Sequence, residues 1–334
     1  MNSAICVAFI IKWQVMSKHQ DHDLNVFYVE SPGQLINAME AIYKFQSKWK
    51  LLIRYNGDAI NDQQIEKVLN FYMSKNEPVF TSGEVVNVYS FIRFVTTFLS
   101  VLLLNGKVKK YVGCHKSKFL KPFHLLRTPM ILMDDGVATL AYLNRLKNEK
   151  RNFTQRFFST LNQMDLFTAL DLSSFDVGKA TVEKHNFSFL KSLITDSEDS
   201  SKVYFFGAKY IEASILSEKS YENLLTQVMQ AYEGQDVYYL PHRGEDRGRL
   251  NRYKSLGFKI YETRFPSELE LVLSEHKPAV VAGFFTASLF TTSVISPNTE
   301  VTSFKIPNEL INTPSLNYIY DYFSTFSSIY ELEA

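Results

Sequence analysis

Short apolar runs alternate along this chain with segments whose apolar residues recur at helical spacing. In the first half, Asn25 to Val29 reads as a strand followed by the turn Ser31-Pro32-Gly33. Gln34 to Phe45 then reads as a helix, Lys50 to Arg54 as a strand, Asp62 to Tyr72 as a helix and Val108 to Val112 as a strand. Met130 to Met133 is a further apolar run, stopped by Asp134-Asp135-Gly136. A second series begins near Lys202: strand Val203 to Phe206, helix Ser217 to Tyr232, strands Asp236 to Leu240 and Phe258 to Tyr261, helix Pro266 to Ser274, and strand Ala279 to Ala282. Such alternation implies parallel sheets flanked by helices, so the expected class is α/β with two Rossmann-like halves.

Between the halves, residues from about 151 to 200 carry mixed patterns. The run Asp196-Ser197-Glu198-Asp199-Ser200-Ser201 reads as a solvated loop or linker. The expected organisation is an N-terminal extension (1–24), a first Rossmann-like domain (25–190), a second (191–312) and a C-terminal helix (313–334). In that helix Leu316, Ile319, Tyr320, Phe323 and Phe326 share helical spacing and turn back onto the first domain. Val88 to Leu104, apolar but for a few positions such as Arg93, reads as a buried helix rather than a membrane span. Ala4 to Ile11 is far short of the roughly 20 residues a span needs. It has neither a preceding charged segment nor a small-residue cleavage site, so no signal peptide is expected and the cytoplasm is the expected compartment.

Composition narrows the classes. With 46% apolar and 21% charged residues, and a net charge of +1, the 334-residue chain is neither disordered nor a basic nucleic-acid binder. Its 2 cysteines, Cys6 and Cys114, make no disulfide framework and no zinc spacing. Only 13 glycines occur and none stands in a G-x-G arrangement, so dinucleotide and P-loop fingerprints are absent. A G-x-S-x-G elbow and an H-E-x-x-H pair are missing too.

In open parallel sheets ligands sit beyond the carboxyl ends of strands, and three constellations lie there. Asp134-Asp135-Gly136 offers two carboxylates for a general base or a metal ligand, or else a plain Asp-Gly turn with a helix cap. Pro241-His242-Arg243-Gly244-Glu245 follows a buried strand and suits an anionic leaving group, the alternative being a structural histidine. Gly283-Phe284-Phe285-Thr286-Ala287-Ser288 leads into a helix whose first amides can hold a phosphate, or whose hydroxyls are ordinary caps. Asp21-His22-Asp23 has a D-x-D form but precedes the first strand and reads as solvated. Lys107, Lys109, Lys110, Lys116, Lys118 and Lys121 form a basic face, solvated by default or facing an anionic membrane or glycolipid.

With these three motifs in order, the chain resembles bacterial sialyltransferases of the GT-B type, particularly the lipooligosaccharide sialyltransferases of glycosyltransferase family 52 and related polysialyltransferases. Their hallmarks are an acidic D/E-D/E-G motif, an HP motif and a later serine/threonine motif. Val29-Glu30-Ser31-Pro32-Gly33-Gln34-Leu35 is similar to the family's first strand-to-helix turn, and Phe265-Pro266-Ser267-Glu268-Leu269 to its P-x-E segment. Two departures stand out: proline precedes His242 instead of following it, and Ala287 interrupts the expected hydroxyl pair.

The resemblance implies a GT-B fold whose two sheets face a central cleft. It also implies inverting transfer of sialic acid from CMP-sialic acid to an acceptor glycan of lipooligosaccharide, O-antigen or capsule type, with no metal and no cofactor. Asp134 would be the general base and Asp135 its support. His242 would stabilise, and as general acid protonate, the departing CMP phosphate. On the donor side Pro241, Arg243, Gly283, Thr286 and Ser288 would join it, with Glu268 on the ribose. Ser31, Pro32, Gln34 and Gly136 would lie on the acceptor side. Peripheral contact with the inner membrane face is expected, and no nucleic-acid partner. The alternatives are transfer of another CMP-activated nonulosonate or Kdo, and a non-catalytic glycan-binding scaffold.

Overall fold

The computed structural model describes residues 24–75, 77–90, 92–96, 108–120, 128–148, 164–194, 198–312 and 316–334. The apolar run at 4–11, the Asp21-His22-Asp23 triplet, Lys107, Lys121 and most of the apolar stretch 88–104 lie outside them.

The first sheet comprises β1 (Leu24–Val29), β2 (Lys48–Arg54), β3 (Glu84–Val88), β4 (Val108–Val112), β5 (Ile131–Met133), β6 (Asp165–Thr168) and β7 (Val182–Lys184). All are parallel, in the order β3-β2-β1-β4-β5-β6-β7. The second comprises β8 (Glu198–Phe206), β9 (Val237–Leu240), β10 (Lys259–Ile260), β11 (His276–Gly283), β12 (Glu300–Lys305) and β13 (Ser328–Glu331). These too are parallel, in the order β10-β9-β8-β11-β12-β13. The order reverses between β1 and β4 and between β8 and β11, which places a ligand crevice at the carboxyl ends of each sheet. The helices among the described residues include α1 (Pro32–Phe45), α2 (Ala59–Met73), α3 (Pro78–Thr81), α4 (Val137–Asn148), α5 (Ser188–Ser192), α6 (Glu218–Ala231), α7 (Leu250–Ser255), α8 (Ser267–Leu273), α9 (Ala287–Ile295) and α10 (Asn317–Phe323).

Local chemistry explains the elements that lead into the cleft. β1 and β2 bury nearly every residue, the signature of parallel strands covered on both faces. α1 begins where Ser31 Oγ accepts the Gln34 N–H at 3.4 Å and Pro32 fills the first turn, where a missing amide costs nothing. It ends at Gln46, whose backbone is left-handed at φ 52°.

The stretch 151–200 contains β6 and β7, both members of the first sheet. Two expectations are corrected. The acidic run 196–201 is not all loop: β8 starts at Glu198 because its backbone pairs with β11, Glu198 opposite His276 and Asp199 opposite Lys277. The C-terminal helix is short. Its last turns are closed by hydroxyls, Thr325 donating to the Tyr322 carbonyl at 2.7 Å and Ser327 to that of Phe323 at 2.8 Å. The chain then adds β13 to the edge of the second sheet.

The seam between the halves is apolar. Leu269 and Val272 of α8 and Ile295 of α9 belong to one cluster with Ile36, Met39 and Phe189, and Phe71 meets Phe265 edge-on at 5.7 Å. α10 packs on both α4 and β12, and the Tyr322 hydroxyl accepts the Asp171 N–H at 2.9 Å. No described helix is long and apolar enough to cross a membrane.

Candidate functional site

A cleft of about 400 Å³ lies between the carboxyl ends of the two sheets. Ser31, Gln34, Asp134, Asp135 and Gly136 line it from one side; Pro241, His242, Arg243, Glu268, Thr286 and Ser288 line it from the other. Of the residues expected there, Pro32 and Gly283 do not line it. Pro32 is buried in the first turn of α1. Gly283 is a spacer whose missing Cβ lets the Thr286 methyl and the Phe206 carbonyl approach.

The two adjacent acids face different surroundings. The Asp134 carboxylate turns into the first half, where it accepts the Thr168 hydroxyl and, at 2.7 Å, the Ala169 N–H; the His185 Nε2 lies 3.6 Å away. Its carbonyl accepts the Asn37 amide at 3.1 Å. Asp134 thus pins the loop after β5 to the end of β6. Asp135 instead accepts the Gln34 amide on Oδ1 at 2.9 Å and a bond from the Cys114 thiol. Burial raises its pKa, an effect that Gln34, Cys114 and the Arg243 charge across the cleft partly offset and that Glu30 reinforces. A carboxylate of raised pKa that lines the cleft and feels the Arg243 charge suits a general base. Asp134, the base expected from sequence, has its carboxylate engaged by Thr168 and Ala169, whereas Asp135 feels the Arg243 charge.

Gln34 can point only one way. Its Oε1 accepts the Glu30 N–H at 2.9 Å, which obliges its NH2 to face Asp135. Gly113, at the end of β4, has no side chain because a Cβ there would overlap the Gln34 carboxamide.

Gly136 has φ +60°, and a Cβ on it would lie 2.6 Å from the Ala287 Cβ. The acidic loop of one half thus touches the hydroxyl motif of the other, and a small residue between Thr286 and Ser288 is what that contact requires. This accounts for the interruption by Ala287.

In the second half, His242 Nδ1 accepts the Gly244 N–H at 3.0 Å, so the neutral ring carries its proton on Nε2. Burial first, then the charges of Arg243, Lys209 and Arg247, push its pKa down to about 3. Before an anion arrives the imidazole is therefore a hydrogen-bond donor rather than a proton source. Arg243 is itself partly desolvated by burial and feels the charges of Glu268, Asp135 and Asp58. Thr286 caps α9 without a side-chain bond, while Ser288 donates to Glu268 Oε1 at 3.1 Å. Glu270 holds the segment before α8 by accepting the Arg264 and Phe265 N–H groups at 2.8 and 2.9 Å.

Sequence reasoning passed over Lys209, Gln64 and Thr263, which also line the cleft. Lys209 stands three residues beyond β8, so the strand-end rule reaches it; nothing in the sequence marks the other two. Among the described residues, no three His, Cys, Asp or Glu side chains converge as a metal-ligand set.

Compared by sequence, the chain matches no protein-family model and no curated protein. Its fold is similar to that of a UDP-GlcNAc 2-epimerase from Methanocaldococcus jannaschii, with TM-score 0.50 and 12% identity over 92% of this chain and 88% of that one. It is also similar to an alpha/beta-galactoside alpha-2,3-sialyltransferase from Photobacterium phosphoreum (TM-score 0.49, 10% identity, 93% and 99% covered) and to a glycosyltransferase from Rickettsia africae ESF-5 (TM-score 0.49, 10% identity, 92% and 90% covered). At such identities the likeness speaks to the fold alone. Two parallel Rossmann-like sheets with their carboxyl ends on one cleft make the chain a GT-B-type α/β protein, the class expected from its sequence.

Proposed function

We propose that this chain is an inverting glycosyltransferase that moves sialic acid from CMP-sialic acid to a hydroxyl of an acceptor glycan of lipooligosaccharide, O-antigen or capsule type. The observation that carries the reading is the placement of Asp135 from one half opposite Arg243 and His242 from the other, across a single cleft. Asp135 takes the acceptor proton as the acceptor oxygen bonds to the anomeric carbon. The bond from that carbon to the phosphate oxygen breaks on the opposite face, and its electron pair leaves with CMP. The Nε2–H of His242, the Arg243 guanidinium and the first amides of α9 meet the growing phosphate charge. Glu268, oriented by Ser288, has two oxygens for the vicinal ribose hydroxyls. With cations and amides balancing the phosphate, the reaction needs no metal. It would take place at the cytoplasmic face of the membrane on which such acceptors are assembled.

The polar groups of the cleft address nucleotide and phosphate more than sugar substituents, which keeps a second CMP-activated nonulosonate or Kdo as the runner-up donor. The test is CMP or UMP/UDP release from CMP-sialic acid, CMP-Kdo and UDP-GlcNAc against galactose- and sialic-acid-terminated acceptors, with and without EDTA. Release from CMP-sialic acid that EDTA does not affect supports the reading. Release from CMP-Kdo alone replaces the sugar, release from UDP-GlcNAc replaces the nucleotide, and CMP binding with no turnover points to a glycan-binding scaffold. Loss of activity in EDTA that Mg²⁺ or Mn²⁺ restores would overturn the metal-free mechanism.

A further inference from the structure

Beneath His242 runs a buried chain of hydrogen bonds that the mechanism above does not use. Tyr221 and Tyr239 share a hydroxyl–hydroxyl bond of 2.8 Å, the Tyr239 hydroxyl donates to Glu245 Oε1, and Glu245 Oε2 accepts the His242 backbone N–H at 2.5 Å. The Glu245 N–H in turn donates to the His242 carbonyl at 3.1 Å, and the Gly244 N–H holds ring atom Nδ1. Amide, carbonyl and ring of His242 are thus all bound within four residues. Gly207, at the end of β8, makes room: a Cβ there would overlap Glu245 Oε2 and the Tyr239 hydroxyl.

We propose that Glu245 is a positioning residue: its carboxylate, anchored by Tyr239 and Tyr221, fixes the His242 turn so that Nε2–H stays aimed into the cleft. The proposal rests on the reading of His242 as the phosphate partner. A buried carboxylate that bonds one tyrosine and one amide is a poor choice for packing alone, since burying a charge is costly unless it is put to use. Its groups are set for a response to pH. Burial raises the Glu245 pKa to about 7, with Glu212 adding to the rise and Tyr239, the His242 amide and Arg247 opposing it; Tyr210, Tyr221 and Tyr253 also face it. On ionisation the bond to the His242 amide becomes charge-assisted and tightens.

The test follows the His242 ring directly, by NMR of the full chain labelled with ¹³C-histidine between pH 5.5 and 8.5, the signal being assigned by its loss in His242→Gln. The expected wild-type result is a shift with a midpoint near 7, which an imidazole held neutral cannot itself produce. Glu245→Gln should flatten that shift and weaken CMP affinity at pH 8 about tenfold, the scale of one hydrogen bond to a charged group. Tyr239→Phe, which removes a donor to the carboxylate, should move the midpoint upward. Gly207→Ala should weaken CMP affinity without touching His242. A midpoint that persists unchanged in Glu245→Gln would assign it to another group, Asp135 foremost, and overturn the proposal. If the chain transfers no sugar at all, the ring titration still decides the point, so failure of the proposed function and failure of this inference are told apart.

Discussion

Substituting alanine for Gly136 tests the contact that brings the two halves together. The new side chain meets two costs. A left-handed backbone at φ +60° costs an L-residue about 1–2 kcal/mol. The added methyl would also sit 2.6 Å from the Ala287 Cβ, where carbon atoms prefer roughly 3.5–4.0 Å, and overpacking of this kind typically costs about 1–3 kcal/mol. The first cost is local and stays in the fold. The second is relieved if the halves move apart by about 1 Å, which carries Asp135 away from Arg243, and a misplacement of that size costs on the order of 10²-fold in rate. Gly136→Ala should therefore lower Tm by a few degrees and lower CMP release about a hundredfold. Adding Ala287→Gly removes the other methyl. The double variant should recover the rate to within about tenfold of wild type while keeping most of the Tm deficit, a coupling within the range seen for touching residues. Differential scanning calorimetry and a CMP-release assay on the four proteins of the cycle give both quantities. If Ala287→Gly restores none of the rate, or if Gly136→Ala is as fast as wild type, the close approach across the cleft does not limit catalysis and the reasoning fails.

Further outcomes follow from the same geometry. His242→Ala should lower kcat by roughly 10²–10³-fold, as loss of a preorganised donor does, with His242→Gln retaining more; equal kcat in His242→Ala would make the residue structural. Gly113→Ala should push the Gln34 carboxamide off Asp135, raise the carboxyl pKa further and so cut kcat more at pH 6 than at pH 9, a pattern Gln34→Ala should share. A pH-independent loss in both would sever Gln34 from the base. Glu245, with its pKa raised to about 7 in the folded chain, holds a proton that the unfolded chain releases near pH 4.5. Its neutral form thus stabilises fully below about pH 4.5, and the advantage is lost as pH rises through 7. Glu245→Gln should gain Tm relative to wild type between pH 5 and 8, toward a limit of about 3 kcal/mol, and a difference that does not change with pH would contradict the shift.

Much of the architecture was legible because the parallel strands are buried on both faces and read as apolar runs, as β1, β2 and β9 do. β7 has only three residues, too few to show a period, and β6 lies in a stretch whose pattern is mixed. β13 follows directly on α10, so its residues Ser328–Glu331 continue what looks like one helical segment. The three motifs were found because strand ends are where such sheets bind ligands, and the cleft collects all three. Which of the two neighbouring acids has its carboxylate bound inside the first half was not legible, because the answer lies with Thr168 and Ala169 at the end of a strand the sequence does not announce, and with Gln34, 101 residues from its partner. Glu245 ends the Pro241-His242-Arg243-Gly244-Glu245 segment, yet its task depends on Tyr221 and Tyr239, which read as core aromatics.

In the proposed mechanism Asp135, held by Gln34 and facing Arg243, is the base, while Asp134 is an anchor. Single-turnover transfer and CMP affinity, measured side by side for Asp135→Asn and Asp134→Asn, address it most directly. Asp135→Asn should lose about 10²–10⁴-fold in rate, the usual contribution of a general base, with CMP bound at least as tightly as by wild type. Asp134→Asn should melt at a lower temperature yet keep a rate within about tenfold of wild type wherever it is folded. A folded Asp134→Asn that transfers nothing, beside an Asp135→Asn that remains active, would contradict the account.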